Sequence, residues 1–261
     1  MYFELRQARC YAFGQVTDPT QPTIIFLHGA AMDHSVWVYH ARYFRFHGAN
    51  VLALDLPRHG RAEGEALTSI EAMAEWVIEV IDHLGLEHVS LCGHSMGGLV
   101  ALEVASRLGD RAERVALLGV AFPMAVSDVL LDAARANERS AVDMMTIWGH
   151  GARAQLGGNA VAGISVMATA ERLLERAEPG LMFNDLNACN EYQGGAEAAA
   201  RISAKTTFIC GEEDKMTPAR AAQKLAQNCR DGAVELVRSS GHILMSEQPE
   251  MTHKALVRAL L

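Results

Sequence analysis

Short apolar runs that alternate with helical stretches constrain the fold of this chain more than any other feature. The apolar runs, each five or six residues long, lie at 23–27, 50–55, 88–92 and 114–119. Runs of this length without polar alternation are typical of strands buried on both faces. The helical stretches between them lie at 35–47, 69–84 and 96–108. This alternation predicts βαβ units and a mostly parallel sheet.

The alternation stops near residue 122 and resumes near residue 201. The intervening residues are rich in Ala and Met, are helical in composition and contain no convincing strand. Beyond them the sequence predicts strands at 206–210 and 234–237, a helix from an N-cap at Thr217 to residue 229, and a closing helix after Pro249. We therefore predict one α/β core, residues 1–121 and 201–261, with a helical cap insertion at residues 122–200.

Charge and composition narrow the classes of partner. The chain has 23 Lys and Arg against 31 Asp and Glu, a net charge of −8, whereas nucleic acids and anionic membranes require a basic face. With 50% hydrophobic and 21% charged residues, the chain is expected to be globular. We expect a small-molecule substrate, no nucleic acid or membrane partner, and a monomer or homodimer.

Cysteine usage and the first residues predict the compartment. The five cysteines are scattered without a C-x-x-C pair, so they form neither a disulfide framework nor a zinc pattern. Residues 1–9 interleave apolar and charged side chains and lack the apolar centre of a secretory signal. No apolar run reaches the roughly 18 residues that a membrane span needs. These features predict a cytoplasmic protein with free thiols.

The pentapeptide Gly-His-Ser-Met-Gly at residues 93–97 carries the strongest functional signal. It directly follows one predicted strand and directly precedes a predicted helix. A serine on so tight a turn has its hydroxyl pushed clear of the sheet and needs small neighbours two residues away on either side. The helix that begins at Met96 points free N–H groups at the same place. Ser95 is therefore the predicted nucleophile.

A serine nucleophile needs a base, and the base needs an acid that orients it. Asp214 follows the predicted strand at 206–210, and His242 follows the one at 234–237. Glu213 is a rival acid, and Asp214 or His242 alone could be an ordinary loop residue. Their joint occurrence after late strands predicts a Ser–His–Asp triad.

The segment after the predicted strand at 23–27 supplies a further part of this site. Acyl transfer places negative charge on the former carbonyl oxygen, and each backbone N–H aimed at that oxygen is typically worth about 3 kcal/mol. The N–H of Met96, next after the nucleophile, is one predicted donor of this oxyanion hole. Ala30, just past the strand, is the other, with Ala31 as an alternative.

Together these segments resemble the α/β-hydrolase superfamily. The matching pieces are His28-Gly29, residues 55–60, residues 93–97, residues 211–214 with Pro218, and Gly241-His242. The order serine, acid, histidine along the chain is also that of the superfamily. The resemblance implies an eight-stranded, mostly parallel sheet flanked by helices, a helical cap between the sixth and seventh strands, and no metal or organic cofactor.

Departures from the superfamily's usual patterns separate its branches. Ser95 stands where dehalogenases and epoxide hydrolases need an aspartate, which argues against both. Ile243 follows the histidine where many carbon–carbon bond hydrolases have tryptophan, and His94 stands where they have asparagine, so that branch is disfavoured. Arg58 replaces a usual glycine in the loop at residues 55–60, and Arg58 itself carries no chemistry.

The sequence therefore predicts a carboxylesterase-like serine hydrolase of small, apolar esters that works through an acyl-enzyme. A lactonase, a thioesterase and a carbon–carbon bond hydrolase use the same triad, so these activities are alternative predictions. A small-molecule receptor with slow turnover, or a structural scaffold, is an alternative of another class. Met124, Met145 and Trp148 in the predicted cap are candidates for an apolar pocket lining or for ordinary packing.

Overall fold

An eight-stranded sheet organises the computed structural model, which describes residues 1–18 and 20–261. The strands are β1 (Tyr2–Leu5), β2 (Ala8–Gln15), β3 (Thr23–Leu27), β4 (Asn50–Asp55), β5 (Val89–His94), β6 (Ala112–Leu118), β7 (Lys205–Gly211) and β8 (Gly232–Val237). Their spatial order is β1-β2-β4-β3-β5-β6-β7-β8. Strands β3 to β8 run parallel, and β2 is antiparallel to both β1 and β4. The predicted mostly parallel sheet of eight strands is confirmed.

Helices flank this sheet and connect its parallel strands. They are α1 (Val38–Phe46), α2 (Ile70–His83), α3 (Met96–Leu108), α4 (Asp128–Arg135), α5 (Arg139–Gly149), α6 (Ala152–Gln155), α7 (Val166–Glu175), α8 (Leu181–Glu191), α9 (Gly195–Arg201), α10 (Ala219–Ala226), α11 (Leu244–Glu247) and α12 (Pro249–Leu260). The four early apolar runs correspond to β3, β4, β5 and β6, and every residue of β3, β4 and β5 is buried. Burial on both faces is what their unbroken apolar pattern predicted.

Two helix starts show how local side chains set element boundaries. Ser69 caps α2, since its hydroxyl accepts the Ala72 N–H at 3.2 Å. The predicted N-cap at Thr217 is wrong, because α10 begins at Ala219 and Pro218 holds the cap position. The Thr217 hydroxyl donates instead to the Asp214 carboxylate at 2.6 Å, so it serves the loop before the helix.

The chain between β6 and β7 is helical, and we call its residues 122–200 the cap segment. It contains α4 to α8 and most of α9, and none of its residues lies in a strand. Helices α8 and α9 pack against α3, the helix that follows Ser95. The segment thus lies between the sixth and seventh strands and reaches the carboxyl edge of the sheet. No described helix combines the length and apolarity that crossing a bilayer requires.

Candidate active site

Ser95 lies on a sharp turn between β5 and α3. Its backbone is in the left-handed region, with φ 51° and ψ −116°, and its N–H donates to the Leu118 carbonyl at 2.8 Å. A Cβ at Gly93 would collide with the Gly97 carbonyl, and one at Gly97 would collide with the Leu27 and His28 carbonyls. Only glycine fits at both positions, so the strained turn is held by its neighbours.

An acid and a histidine meet at the carboxyl ends of β7 and β8. His242 Nδ1 lies 2.8 Å from Asp214 Oδ2, and both side chains are buried. Asp214 Oδ1 accepts the N–H groups of Met216 and Thr217 at 2.9 and 2.8 Å. The Thr217 hydroxyl donates to Asp214 Oδ2 and lies 3.1 Å from His242 Nδ1. This arrangement leaves Nε2 as the free nitrogen of His242.

The charge state of Asp214 follows from its surroundings. Burial acts to raise its pKa, but the charge of His242 and the hydrogen bonds from His242 and Thr217 outweigh burial and hold the pKa of Asp214 below its usual range. The rival acid Glu213 lies in a different contact, since its Oε2 accepts the Ala152 N–H at 2.7 Å. Asp214, not Glu213, is therefore the carboxylate that contacts His242.

Ser95 and His242 line the same cavity, which has a volume of about 400 Å³. Ala30 from the loop after β3 also lines it. Most of its remaining wall is apolar and comes from both the sheet edge and the cap segment: Met124, Leu130, Met145, Trp148, Leu186 and Met216. A cavity of this size and polarity fits a small organic molecule.

Two neighbouring residues of the loop after β3 differ in how their amides are used. The Ala31 N–H donates to Asp185 Oδ2 at 2.8 Å, so it is occupied. Among residues 1–18 and 20–261, no protein atom accepts a hydrogen bond from the N–H of Ala30 or of Met96. Met96 is the first residue of α3, where N–H groups lack partners within the helix. Ala30 and Met96 thus both have unpaired amides close to Ser95.

His28 fixes the orientation of the Ala30 amide. Its Nε2 accepts the Leu56 N–H at 3.2 Å, so its Nδ1 carries the proton and donates to the Gly29 carbonyl at 2.9 Å. Burial, aided by the nearby charge of His59, lowers the pKa of His28 to about 4, which keeps the ring neutral. Because the Gly29 carbonyl and the Ala30 N–H belong to one trans peptide, they point in opposite directions.

The loop that carries His242 is anchored from two sides. His94 Nε2 lies 3.0 Å from the His242 carbonyl and donates to it. Burial, together with the charge of His242, lowers the pKa of His94 to about 3, so this ring is neutral. On the other side the Glu247 carboxylate accepts the N–H groups of Gly241 and Gly151 at 2.8 and 2.9 Å. Both contacts hold the imidazole of His242 in place.

One group of side chains has the composition of a metal site. Asp33, His34 and Asp55 bring potential ligand atoms within 4.8 Å of one another. All three side chains make contacts within the protein, because His34 Nδ1 lies 2.8 Å from Asp55 Oδ1 and Asp33 accepts from Ser35 and Arg176. These contacts give the three side chains a structural role, since they hold the loop after β3.

Sequence reasoning missed three polar residues around the site. Thr217, predicted as a helix cap, contacts both Asp214 and His242. Asp185 lies inside α8, and His59 lies in the loop after β4, where its Nε2 is 2.8 Å from Asp185 Oδ2. No local pattern marks an aspartate within a helix of the cap segment, so only the tertiary structure could reveal this pair.

Comparison with known proteins identifies the class. The model of the alpha/beta hydrolase family matches residues 24–255. The chain belongs to the alpha/beta hydrolase family, as the resemblance of its motifs predicted. Relatives of this chain are named as esterases, an enol-lactonase and a carbamate hydrolase.

Several relatives match this chain over most of its length, and two of them are named as esterases. It is 26% identical over 260 residues to the pimeloyl-[acyl-carrier protein] methyl ester esterase of Nitrosospira multiformis, covering 91% of this chain and 94% of that protein. It is 24% identical over 252 residues to the carboxylesterase YbfK of Bacillus subtilis, covering 92% and 80%. Four curated relatives at 31–36% identity match only in part, because the chain spans 26–40% of their length.

The fold has close counterparts among solved structures. The enol-lactonase from Burkholderia xenovorans LB400 superposes with a TM-score of 0.85 at 21% identity, covering 100% of this chain and 99% of that one. At this identity the likeness concerns the fold.

Proposed function

We propose that this protein is a serine hydrolase that cleaves small carboxylic esters, with Ser95 as nucleophile, His242 as general base and Asp214 as the acid that orients it. The observation that carries the proposal is that Ser95 and His242 line one apolar cavity while Asp214 holds the far nitrogen of His242. The esterases among the full-length relatives support the same reaction class.

In the proposed reaction, His242 Nε2 takes the hydroxyl proton as Ser95 attacks the substrate carbonyl. The imidazolium that forms is stabilised by the Asp214 carboxylate, which lies 2.8 Å away. The N–H groups of Ala30 and Met96 receive the negative charge on the carbonyl oxygen. His242 returns the proton to the leaving alcohol, and then activates the water that releases the acid from Ser95.

The cap segment sets the proposed substrate range. Met124, Leu130, Met145 and Trp148 all come from it and line the cavity. Their apolar contacts favour a small apolar acyl group, and Lys215, which follows β7, adds one cationic side chain to the cavity wall. We therefore propose short aliphatic or aromatic esters as substrates, and residues 122–200 as the unit that selects them.

Steady-state hydrolysis of p-nitrophenyl acetate, butyrate and octanoate tests the proposal. Ser95→Ala removes the nucleophile, so kcat should fall at least about 10⁴-fold while circular dichroism stays unchanged. A fluorophosphonate should label the wild type once, on the peptide that contains Ser95. Glu213→Gln is the matched control, because it changes the neighbouring carboxylate without touching His242. Single turnover, or retention of activity in Ser95→Ala, would contradict the proposal.

Lactone hydrolysis is the second candidate, and a specific observation favours it. The chain is 24% identical over 239 residues to the 3-oxoadipate enol-lactonase 1 of Acinetobacter baylyi, covering 90% of this chain and 88% of that protein. A lactone is an internal ester, so the same three side chains would open it. Comparing kcat/KM for a five-membered lactone and for the methyl ester of the same acid decides between the two.

A further inference from the structure

A second buried acid–histidine pair lies next to the proposed oxyanion hole. Asp185 in α8 and His59 in the loop after β4 are almost completely buried, and His59 Nε2 lies 2.8 Å from Asp185 Oδ2. The same oxygen accepts the Ala31 N–H at 2.8 Å, and Asn184 Nδ2 lies 3.2 Å from Asp185 Oδ1. This pair does not line the cavity that contains Ser95. The pair contacts the backbone of the loop after β3, and Ala30 of that loop lines the cavity.

Hydrogen-bond geometry fixes the number of protons on the pair. His59 Nδ1 lies 3.0 Å from the Pro57 carbonyl, which can only accept, so Nδ1 carries a proton. A second proton lies between Nε2 and Asp185, and the pair as a whole is neutral. Burial opposes the charge on His59, but Asp185 outweighs it and raises the pKa of His59 above its ordinary value. Burial likewise acts to raise the pKa of Asp185, and His59 reverses the shift and lowers it.

The pair holds one of the two peptide groups that flank Ala30. The peptide before Ala30 is fixed by His28, whose Nδ1 donates to the Gly29 carbonyl. The peptide after Ala30 is fixed by Asp185, which accepts the Ala31 N–H. Ala31 is in the left-handed region at φ 56°, a conformation that a residue with a side chain adopts only when its surroundings impose it. The direction of the Ala30 N–H thus depends on both contacts.

We propose that Asp185, neutralised by His59, is a positioning residue that aims the Ala30 N–H at the substrate oxygen. This inference rests on the proposed function, because it assigns Asp185 to the oxyanion hole of that reaction. The neutrality of the pair matters as much as its geometry. An unpaired carboxylate beside the hole would repel the negative charge that forms there, and His59 removes that repulsion.

The test compares two variants of Asp185 with a matched control. Asp185→Ala removes the acceptor, and Asp185→Asn keeps an oxygen that can accept the Ala31 N–H. The control is Tyr192→Phe, because the Tyr192 hydroxyl makes another buried contact between the cap segment and the core, donating to Glu103 at 2.7 Å. Tyr192 does not line the cavity, so its loss should weaken that contact and leave the oxyanion hole unchanged.

The expected result is a loss in kcat with little change in KM. Removing an oxyanion donor outright costs about 10²–10³-fold in kcat, so a misdirected donor should cost about 10–100-fold in Asp185→Ala. Asp185→Asn should recover part of that loss, and Tyr192→Phe should stay within about threefold of the wild type. Equal losses in Asp185→Ala and Tyr192→Phe, or a rise in KM at constant kcat, would overturn the proposal.

A second measurement does not depend on turnover. In protein labelled with ¹⁵N-alanine, the Ala31 amide, assigned through its disappearance in Ala31→Gly, should resonate downfield in the wild type and move upfield in Asp185→Ala. An unmoved Ala31 resonance would refute the positioning role. A wild type without esterase turnover would instead refute the proposed function, so the two failures are distinguishable.

Discussion

Acid should destabilise this fold through His40, a histidine buried between α1 and α12. Its side chain has no exposed surface, and its ring stacks on that of His253 at 5.6 Å, with the two Nδ1 atoms 3.4 Å apart. Burial, aided by the charge of His253, lowers the pKa of His40 to about 3. The folded protein therefore keeps His40 neutral at a pH where an unfolded chain would protonate it.

The sign and the size of the effect follow from proton linkage. In the unfolded chain the pKa of a histidine is near 6.5, so between pH 6.5 and about 3 the unfolded state binds more protons and stability falls as the pH falls. At pH 5 the 1.5-unit gap below the unfolded pKa corresponds to about 2 kcal/mol for His40. His28 and His94 act in the same direction, with pKa values lowered to about 4 and 3.

Urea denaturation of the wild type and of His40→Gln at pH 7, 6 and 5, followed by circular dichroism, measures the contribution of His40 alone. The stability of the wild type relative to His40→Gln should fall by about 2 kcal/mol between pH 7 and pH 5. His88→Gln is the control, because His88 is exposed and its replacement should leave the pH dependence unchanged. A difference between wild type and His40→Gln that is the same at pH 7 and pH 5 would refute the reasoning.

Two further predictions concern the active site. Asp214→Asn should lower kcat by about 10⁴-fold with little change in fold, because the amide cannot stabilise the imidazolium of His242. Stopped-flow assays of ester hydrolysis measure this loss, and a loss below tenfold would contradict the prediction. Leu130→Trp should fill part of the cavity of about 400 Å³, so kcat/KM should fall more for p-nitrophenyl octanoate than for the acetate. Equal changes for both esters would show that Leu130 does not bound the acyl site.

The strands that the sequence marks most clearly are those with continuous burial. Strands β3, β4 and β5 are buried at every position, so each can be recognised as a strand from its own apolar run. Strands β1 and β2 were not predicted, because β1, at the edge of the sheet, alternates exposed and half-buried side chains, and β2 is buried only at residues 10–12. Strands with so few buried residues form because they pair with neighbouring strands, and a single sequence does not show that pairing.

The candidate site also contains residues that the sequence predicts and residues that only the tertiary structure reveals. Ser95 was predictable because its turn demands glycine at 93 and 97, which is a local and steric requirement. Asp185 and His59 were not, since 126 positions separate them and their chemistry arises only when α8 packs onto the loop after β4. The N-cap assigned to Thr217 failed for a related reason, because Asp214 accepts the hydroxyl that would otherwise have capped α10.

The contacts around residues 149–152 determine where the cap segment can bend. Ile243 donates to the Gly149 carbonyl at 3.1 Å, Gly151 donates to Glu247, and Ala152 donates to Glu213. Each hydrogen bond contributes about 1 kcal/mol, so this part of the segment separates from the histidine loop less readily than the rest. If the cap segment moves to admit substrate, these residues are where it would bend. The imidazole of His242 would then keep its contact with Asp214 during the movement.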